Sequence, residues 1–173
     1  MKNFHWQAAV LAFVLTLGIA MGVIYVRRQP FYHEPLLNQI KNLDFVEEVK
    51  LEPEQKVVII SLQAVDNLAE TYQALKQQIN TVLGPEYRLE LKDKRNGDLQ
   101  EAYLAVHLLL YEAQQRGNYG EISQKIAQVL EAYHLEKHIL LVDEENIYLQ
   151  IQNKNAYLYE IIARRQEKEG EHA

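Results

Sequence analysis

Residues 147–163 read IYLQIQNKNAYLYEIIA, and this stretch decides how the second half of the chain folds. Apolar and polar side chains alternate from Ile147 to Gln152, as they do in a strand that has one buried face. Residues 153–155 have the composition of a tight turn, and residues 156–163 then complete a β-hairpin. A helix over residues 156–163 is the alternative, and we favour the strand.

Several tyrosines and glutamines fall on this predicted hairpin. If one face of the hairpin is exposed, these side chains make a plausible contact surface for another protein, because tyrosine is enriched at interfaces. The alternative is that the rings cover a layer of helices in the same chain. The candidate interaction residues are Tyr148, Gln150, Gln152, Tyr157 and Tyr159.

Two helices are predicted before the hairpin, and they form a helical hairpin of their own. Asp98 and Glu101 make a capping pair for the first helix, which runs to Gln115 and is ended by Gly117. This helix is apolar on more than one face, which is typical of a helix buried between layers. One face carries Leu99, Tyr103, Val106, Leu110 and Ala113, and another carries Leu104, Leu108 and Tyr111. A buried strand over residues 138–142 follows the second helix.

The chain from residue 34 to residue 91 predicts a first block of mixed elements. Its strand at residues 57–62, VVIISL, is a continuous apolar run typical of a central strand that is buried on both faces. The order of elements resembles that of ring-building motifs and BON-like modules of envelope proteins, without a shared residue motif. The whole chain is predicted as α+β: an N-terminal transmembrane helix, then α-β-β-α-β, an α-α hairpin and β-β-β.

Residues 8–26 read AAVLAFVLTLGIAMGVIYV and contain no charged residue. As a helix this run spans roughly 28 Å, which is close to the thickness of the hydrocarbon core of a bilayer. A cleaved signal peptide is the alternative, but the run exceeds the usual length of its apolar region. We expect a single-pass anchor whose partner is the lipid bilayer. Gly18 and Gly22 lie four residues apart, and Ala12 and Ala20 belong to a second ridge of small residues at the same spacing, Ala8, Ala12, Thr16 and Ala20. Gly18, Gly22, Ala12 and Ala20 are therefore candidates for helix pairing.

The orientation of this anchor depends on few charges. Lys2 precedes the span, whereas Arg27 and Arg28 follow it. The positive-inside rule therefore places the rest of the chain in the cytoplasm by a slight margin, and the exterior is nearly as well supported.

Charge and composition limit what the remainder can do. Three of the 18 basic residues precede residue 31 and all 24 acidic residues follow it, so residues 31–173 have a net charge of −9. Such an acidic domain repels phosphate backbones, and we expect no nucleic-acid partner. We predict a tail and span over residues 1–30, a soluble domain over 31–165 with a possible sub-boundary near 92–98, and a charged tail over 166–173.

The sequence lacks the familiar catalytic and metal-binding motifs. His134 and His138 are four residues apart, but Glu136 lies at the middle position, which matches neither known zinc-binding helix motif. His107 lies in the middle of a predicted helix, where a structural role is the more common one. The acidic turn at residues 143–145 lacks the spacing of a calcium loop. Cysteine is absent, and we expect no cofactor, no metal and no enzyme activity.

Three functions remain open. The first is a membrane-anchored scaffold or accessory subunit that acts by binding a protein partner or a second copy of itself. The second is a sensory domain that holds a small ligand near Tyr103 and His107. The third is a membrane-tethered hydrolase that uses His107 or His134 with a carboxylate.

Overall fold

The computed structural model describes residues 16–19, 21 and 34–165. The chain divides into two compact units, residues 1–39 and residues 40–173. In the first unit, residues 16–19 and 21 are helical. Within the described ranges, no helix is both long enough and apolar enough to cross a membrane.

The predicted membrane span, residues 8–26, lies largely outside the described residues and stays a prediction. The same holds for three of the four helix-pairing candidates, since Ala12, Ala20 and Gly22 are not among the described residues. Gly18 is described, and apart from its own helix backbone no described residue lies within 4 Å of the position that a Cβ on it would occupy.

The mixed α+β fold is confirmed, and its elements follow the predicted order. Residues 156–163 form a strand, so the helical alternative for this stretch is wrong. The helices are α1 (Glu34–Lys41), α2 (Leu68–Val82), α3 (Gly97–Arg116) and α4 (Tyr119–Glu131). The strands are β1 (Val46–Glu52), β2 (Val57–Leu62), β3 (Arg88–Lys92), β4 (Lys137–Val142), β5 (Asn146–Asn153) and β6 (Ala156–Ala163).

The first sheet has the strand order β1-β2-β3, and β2 is its central strand as predicted. β1 pairs with β2 antiparallel, whereas β2 and β3 are parallel and are connected through α2. Asn67 caps α2, because its Oδ1 accepts hydrogen bonds from the backbone N–H groups of Ala69 and Glu70 at 3.1 and 3.3 Å. This cap leaves residues 63–67 as a short connection between the sheet and the helix.

The second sheet has the strand order β4-β5-β6 and is antiparallel throughout. One of its faces packs against α3 and α4, and the main core of the molecule lies between them. Alternation along β5 and β6 decides which side chains enter this core. The buried residues are Leu99, Ala102, Val106, Leu110, Ala113, Ile122, Ile126, Leu130, Ile147, Leu149, Ile151, Ala156, Leu158 and Ile162.

α3 begins one residue before the predicted capping pair. The backbone of Asn96 is extended, and its Oδ1 accepts the N–H of Leu99 at 2.9 Å, so Asn96 is the N-cap. The predicted pairing of Asp98 with Glu101 as the cap is therefore wrong; Asp98 lies in the first turn. Gly117 ends the helix as predicted, in the left-handed region at a φ of 69°.

The outer face of α3 contradicts the predicted burial between two layers. Leu104, Leu108 and Tyr111 are 52%, 71% and 46% exposed. The physical reason is that α3 rests on β5, β6 and α4, and no further described element packs over the opposite side of the helix. A helix that is apolar on two faces can therefore have only one of them covered by the rest of the chain.

Candidate functional site

The structure places all five predicted interaction residues on one face of the β5–β6 hairpin, as the alternation requires. This face is turned away from α3 and α4, so the rings do not cover the α3–α4 helical hairpin. Instead it lies against α2 and the connection after β2. Tyr148, Gln150, Tyr157 and Tyr159 are buried there, and Gln152 is half-buried.

The two β6 tyrosines bind the backbone of the connection after β2. Tyr157 Oη donates to the carbonyl oxygen of Leu62 at 2.7 Å. Tyr159 Oη donates to the carbonyl oxygen of Gln63 at 3.0 Å and accepts the N–H of Val65 at 2.8 Å. Burial raises the pKa of Tyr159 to about 12, so its phenol stays protonated and available as a donor.

Gln150 binds the same connection through both ends of its amide. Its Oε1 accepts the N–H of Leu68 at 3.1 Å, and its Nε2 donates to the carbonyl oxygen of Val65 at 2.5 Å. Together with Tyr157 and Tyr159 it makes five hydrogen bonds that join the second sheet to the segment entering α2. We call these three side chains the polar clamp. Their polar atoms are used within the chain.

The acidic turn between β4 and β5 is organised by Asp143. Its Oδ1 accepts the backbone N–H groups of Glu145 and Asn146 at 2.8 and 2.7 Å. Its Oδ2 accepts from Tyr148 Oη at 2.7 Å and from Gln73 Nε2 of α2 at 2.8 Å. Burial raises the pKa of Asp143, but the hydrogen bonds outweigh it and hold the pKa below its usual value. The carboxylate is thus a structural acceptor that links this turn to α2.

The described histidines do not form the pair that a zinc-binding helix would need. His134 lies in the turn after α4 at a φ of 49°, whereas His138 lies on β4, so the two do not share a helix face. His107 is half-exposed, and its Nδ1 lies 2.6 Å from the carbonyl oxygen of Leu104 in its own helix. Among residues 16–19, 21 and 34–165, no group of three or more histidine and carboxylate side chains could hold a metal ion.

The outer face of α3 is the surface that sequence reasoning missed. Leu104, Leu108 and Tyr111 recur at spacings of four and three, so they form one apolar stripe along the helix. We call these three residues the α3 stripe. It lies opposite Ala102, Val106 and Ala113, which face the core. The apolar pattern alone could not identify it, because the same pattern describes a helix covered on both sides.

No protein family, no curated protein and no solved structure matches this chain. The resemblance in element order to ring-building motifs and BON-like modules therefore rests on that order alone. A function has to be argued from the surfaces that the fold leaves open.

Proposed function

We propose that this protein is a membrane-anchored interaction protein whose α+β domain pairs with a second copy of itself through the α3 stripe. The observation that carries the proposal is the exposure of Leu104, Leu108 and Tyr111 on the side of α3 opposite the core. Soluble domains rarely leave a row of large apolar side chains uncovered unless the row has a partner. The predicted span at residues 8–26 supplies the anchor.

The size of the stripe suggests a weak pairing that needs a tether. Burying one large apolar side chain completely is worth about 1.5–3 kcal/mol, so the exposed fractions of the three side chains correspond to roughly 3–5 kcal/mol per copy. Association itself costs an estimated 4–15 kcal/mol. The free domain would therefore pair weakly, whereas two copies held side by side in a membrane have an effective concentration on the order of millimolar. The candidate helix-pairing residues Gly18 and Gly22 would act in the same direction.

Charge placement along α3 favours a second copy in the antiparallel direction. In a two-fold arrangement centred between His107 and Leu108, Leu104 of one copy lies over Tyr111 of the other. The same arrangement places the exposed Glu101 of one copy near Arg116 at the end of the other helix, where Arg116 also pairs with Glu112 of its own chain at 2.8 Å. The net charge of −9 on residues 31–173 opposes close approach, so pairing should strengthen as salt screens this repulsion.

A cysteine scan tests the pairing directly, because the chain contains no cysteine. Leu108→Cys in the full chain, in its membrane, should give a disulfide-linked dimer on mild oxidation, since residue 108 lies next to the two-fold axis. The matched control is Glu54→Cys, which is also exposed but lies in the turn between β1 and β2. Adding Leu104→Asp to the Leu108→Cys chain should abolish the crosslink. Equal crosslinking at positions 54 and 108, or none at 108, would contradict the proposal.

The side of the membrane is a separate part of the proposal. Arg27 and Arg28 after the span favour the cytoplasm for the domain by a slight margin over Lys2. An alkaline phosphatase fused after Ala173 is inactive in the cytoplasm, so phosphatase activity would place the domain outside.

A further inference from the structure

Two strands at the edges of their sheets face each other across a cleft. β3 is the last strand of the first sheet, and β6 is the last strand of the second. The two meet at one antiparallel bridge, where the N–H of Tyr157 donates to the carbonyl oxygen of Lys94 at 3.1 Å. Beyond this bridge they separate, and a cleft of about 730 Å³ opens between them.

A carboxylate stops the two strands from pairing further. Where the next rung of the ladder would form, the N–H of Tyr159 donates to Asp93 Oδ2 at 2.8 Å. Arg95 holds this carboxylate, with Nη2 at 2.7 Å from the same oxygen. The side chain of Asp93 is only 6% exposed, so it is a fixed part of the wall. The Asp93–Arg95 ion pair therefore closes the end of the cleft next to the bridge, and the strands stay unpaired beyond it.

Both walls of the cleft present backbone hydrogen-bonding groups. The N–H of Arg88 donates to the carbonyl oxygen of Lys56, which sets the alternation of β3 and turns the backbone groups of Leu89 and Leu91 away from β2. The N–H of Arg164 donates to the carbonyl oxygen of Glu145 at 2.7 Å. This bond sets the alternation of β6, so the backbone groups of Ile161 point away from β5. Leu89, Leu91 and Ile161 all line the cleft. Among the described residues, Lys94 and Tyr157 form the single bridge between β3 and the β6 edge.

Charged side chains of both signs line the cleft. Lys76 from α2, Arg88 from β3 and Arg95 all line it, against Glu90 and Glu160. Lys76 is paired with Glu145, and Arg95 is paired with Asp93 and, at 3.9 Å, with Glu160. Arg88 is exposed and makes no ion pair within the described part of the chain. It is the cation left to receive an acidic side chain.

We propose that this cleft binds an extended peptide segment of a partner protein, which adds as a strand between β3 and β6 and places an acidic side chain against Arg88. Open strand edges recruit strands because each unpaired N–H and C=O needs a partner. The five residues of β3 set the length of the peptide, and five extended residues span roughly 17 Å. The proposal concerns a different surface from the α3 stripe, so either can fail alone.

The test uses short synthetic probes and the full chain in detergent micelles. The probes are the acetylated and amidated peptides TVEVT and TVKVT, and a TVEVT peptide methylated on the backbone nitrogens of all five residues. Amide resonances of Leu89, Leu91 and Ile161 report the site. TVEVT should shift all three, the methylated peptide should shift none because it lacks the backbone donors, and TVKVT should bind about threefold more weakly.

An exchanged charge provides the matched variant. Arg88→Glu lies on the exposed face of β3 and is not expected to affect folding, and it should reverse the preference between TVEVT and TVKVT. Shifts that persist with the methylated peptide would overturn the proposal, as would the absence of shifts at millimolar peptide. Amides of Leu89, Leu91 and Ile161 that are already protected from exchange in the free chain would also overturn it, because the chain itself would then fill the cleft.

Discussion

The polar clamp gives a sharp prediction for Gln150. We expect Gln150→Met to destabilise the domain strongly although methionine has nearly the same volume and shape. The substitution removes two hydrogen bonds, one from the N–H of Leu68 and one to the carbonyl oxygen of Val65. Gln150, Val65 and Leu68 are 1%, 6% and 1% exposed, so water cannot replace the lost partner.

The magnitude follows from these two backbone groups. A buried donor or acceptor that loses its partner costs about 1–3 kcal/mol. Two such groups would cost roughly 2–6 kcal/mol, and the better burial of methionine returns part of this, so we expect about 2–4 kcal/mol of lost unfolding free energy. Such a loss is a large fraction of the roughly 5–15 kcal/mol that stabilises an ordinary domain.

Urea unfolding followed by circular dichroism measures this difference. Gln152→Met is the matched control, because Gln152 lies on the same face of β5, is half-buried and makes no side-chain hydrogen bond with any described residue. We expect Gln152→Met to change stability by less than about 0.5 kcal/mol. If the two variants lie within about 1 kcal/mol of each other, with equal m-values, the reasoning from unsatisfied buried backbone groups is refuted.

Further predictions concern single positions. Tyr159→Phe should cost about 1–3 kcal/mol in a urea titration, because it removes the hydroxyl that binds the buried N–H of Val65 and the carbonyl oxygen of Gln63. Leu110→Ala should cost about 2–5 kcal/mol, whereas Leu108→Ala should change the unfolding free energy by under about 0.5 kcal/mol in the unpaired domain. The pKa of Asp143 lies below its usual 3.8, so its contribution is present above that pH and is lost as the pH falls through the lower folded value. Asp143→Asn should therefore lower stability at pH 7 and flatten its decline below pH 4. Gly117→Ala should cost roughly 1 kcal/mol by thermal melting, because its φ of 69° disfavours a Cβ.

Local patterns were sufficient to predict the elements, because those patterns report local physics. The alternation in IYLQIQ and the apolar run VVIISL each describe a strand and the number of its covered faces. Asn67 and Gly117 are end signals whose geometry involves only the adjacent turn. Even so, the predicted N-cap of α3 lies two residues too late, since Asn96 and Asp98 are both good caps and the choice between them depends on the backbone before the helix.

The role of each face could not be predicted in the same way. Alternation correctly groups Tyr148, Gln150 and Tyr159, but it does not say which part of the chain covers the group. Burial of that face depends on where the connection after β2 returns, which is a long-range property. The exposure of Leu108 has the same origin, because it depends on how many layers the fold contains.

The clamp and the cleft are connected through the geometry of the two sheets. Tyr159 binds the connection after β2 through its hydroxyl and binds Asp93 through its backbone N–H. Through its hydroxyl it holds the two sheets together in the interior. At the strand edge, the carboxylate of Asp93 occupies the position where the next backbone hydrogen bond between β3 and β6 would form. A continuous six-stranded sheet would satisfy more backbone groups than two sheets of three, so the open edges of β3 and β6 persist because this arrangement blocks closure. Blocking closure leaves the backbone groups of Leu89, Leu91 and Ile161 without a partner strand among residues 34–165, and an incoming strand is the simplest structure that satisfies them from both sides.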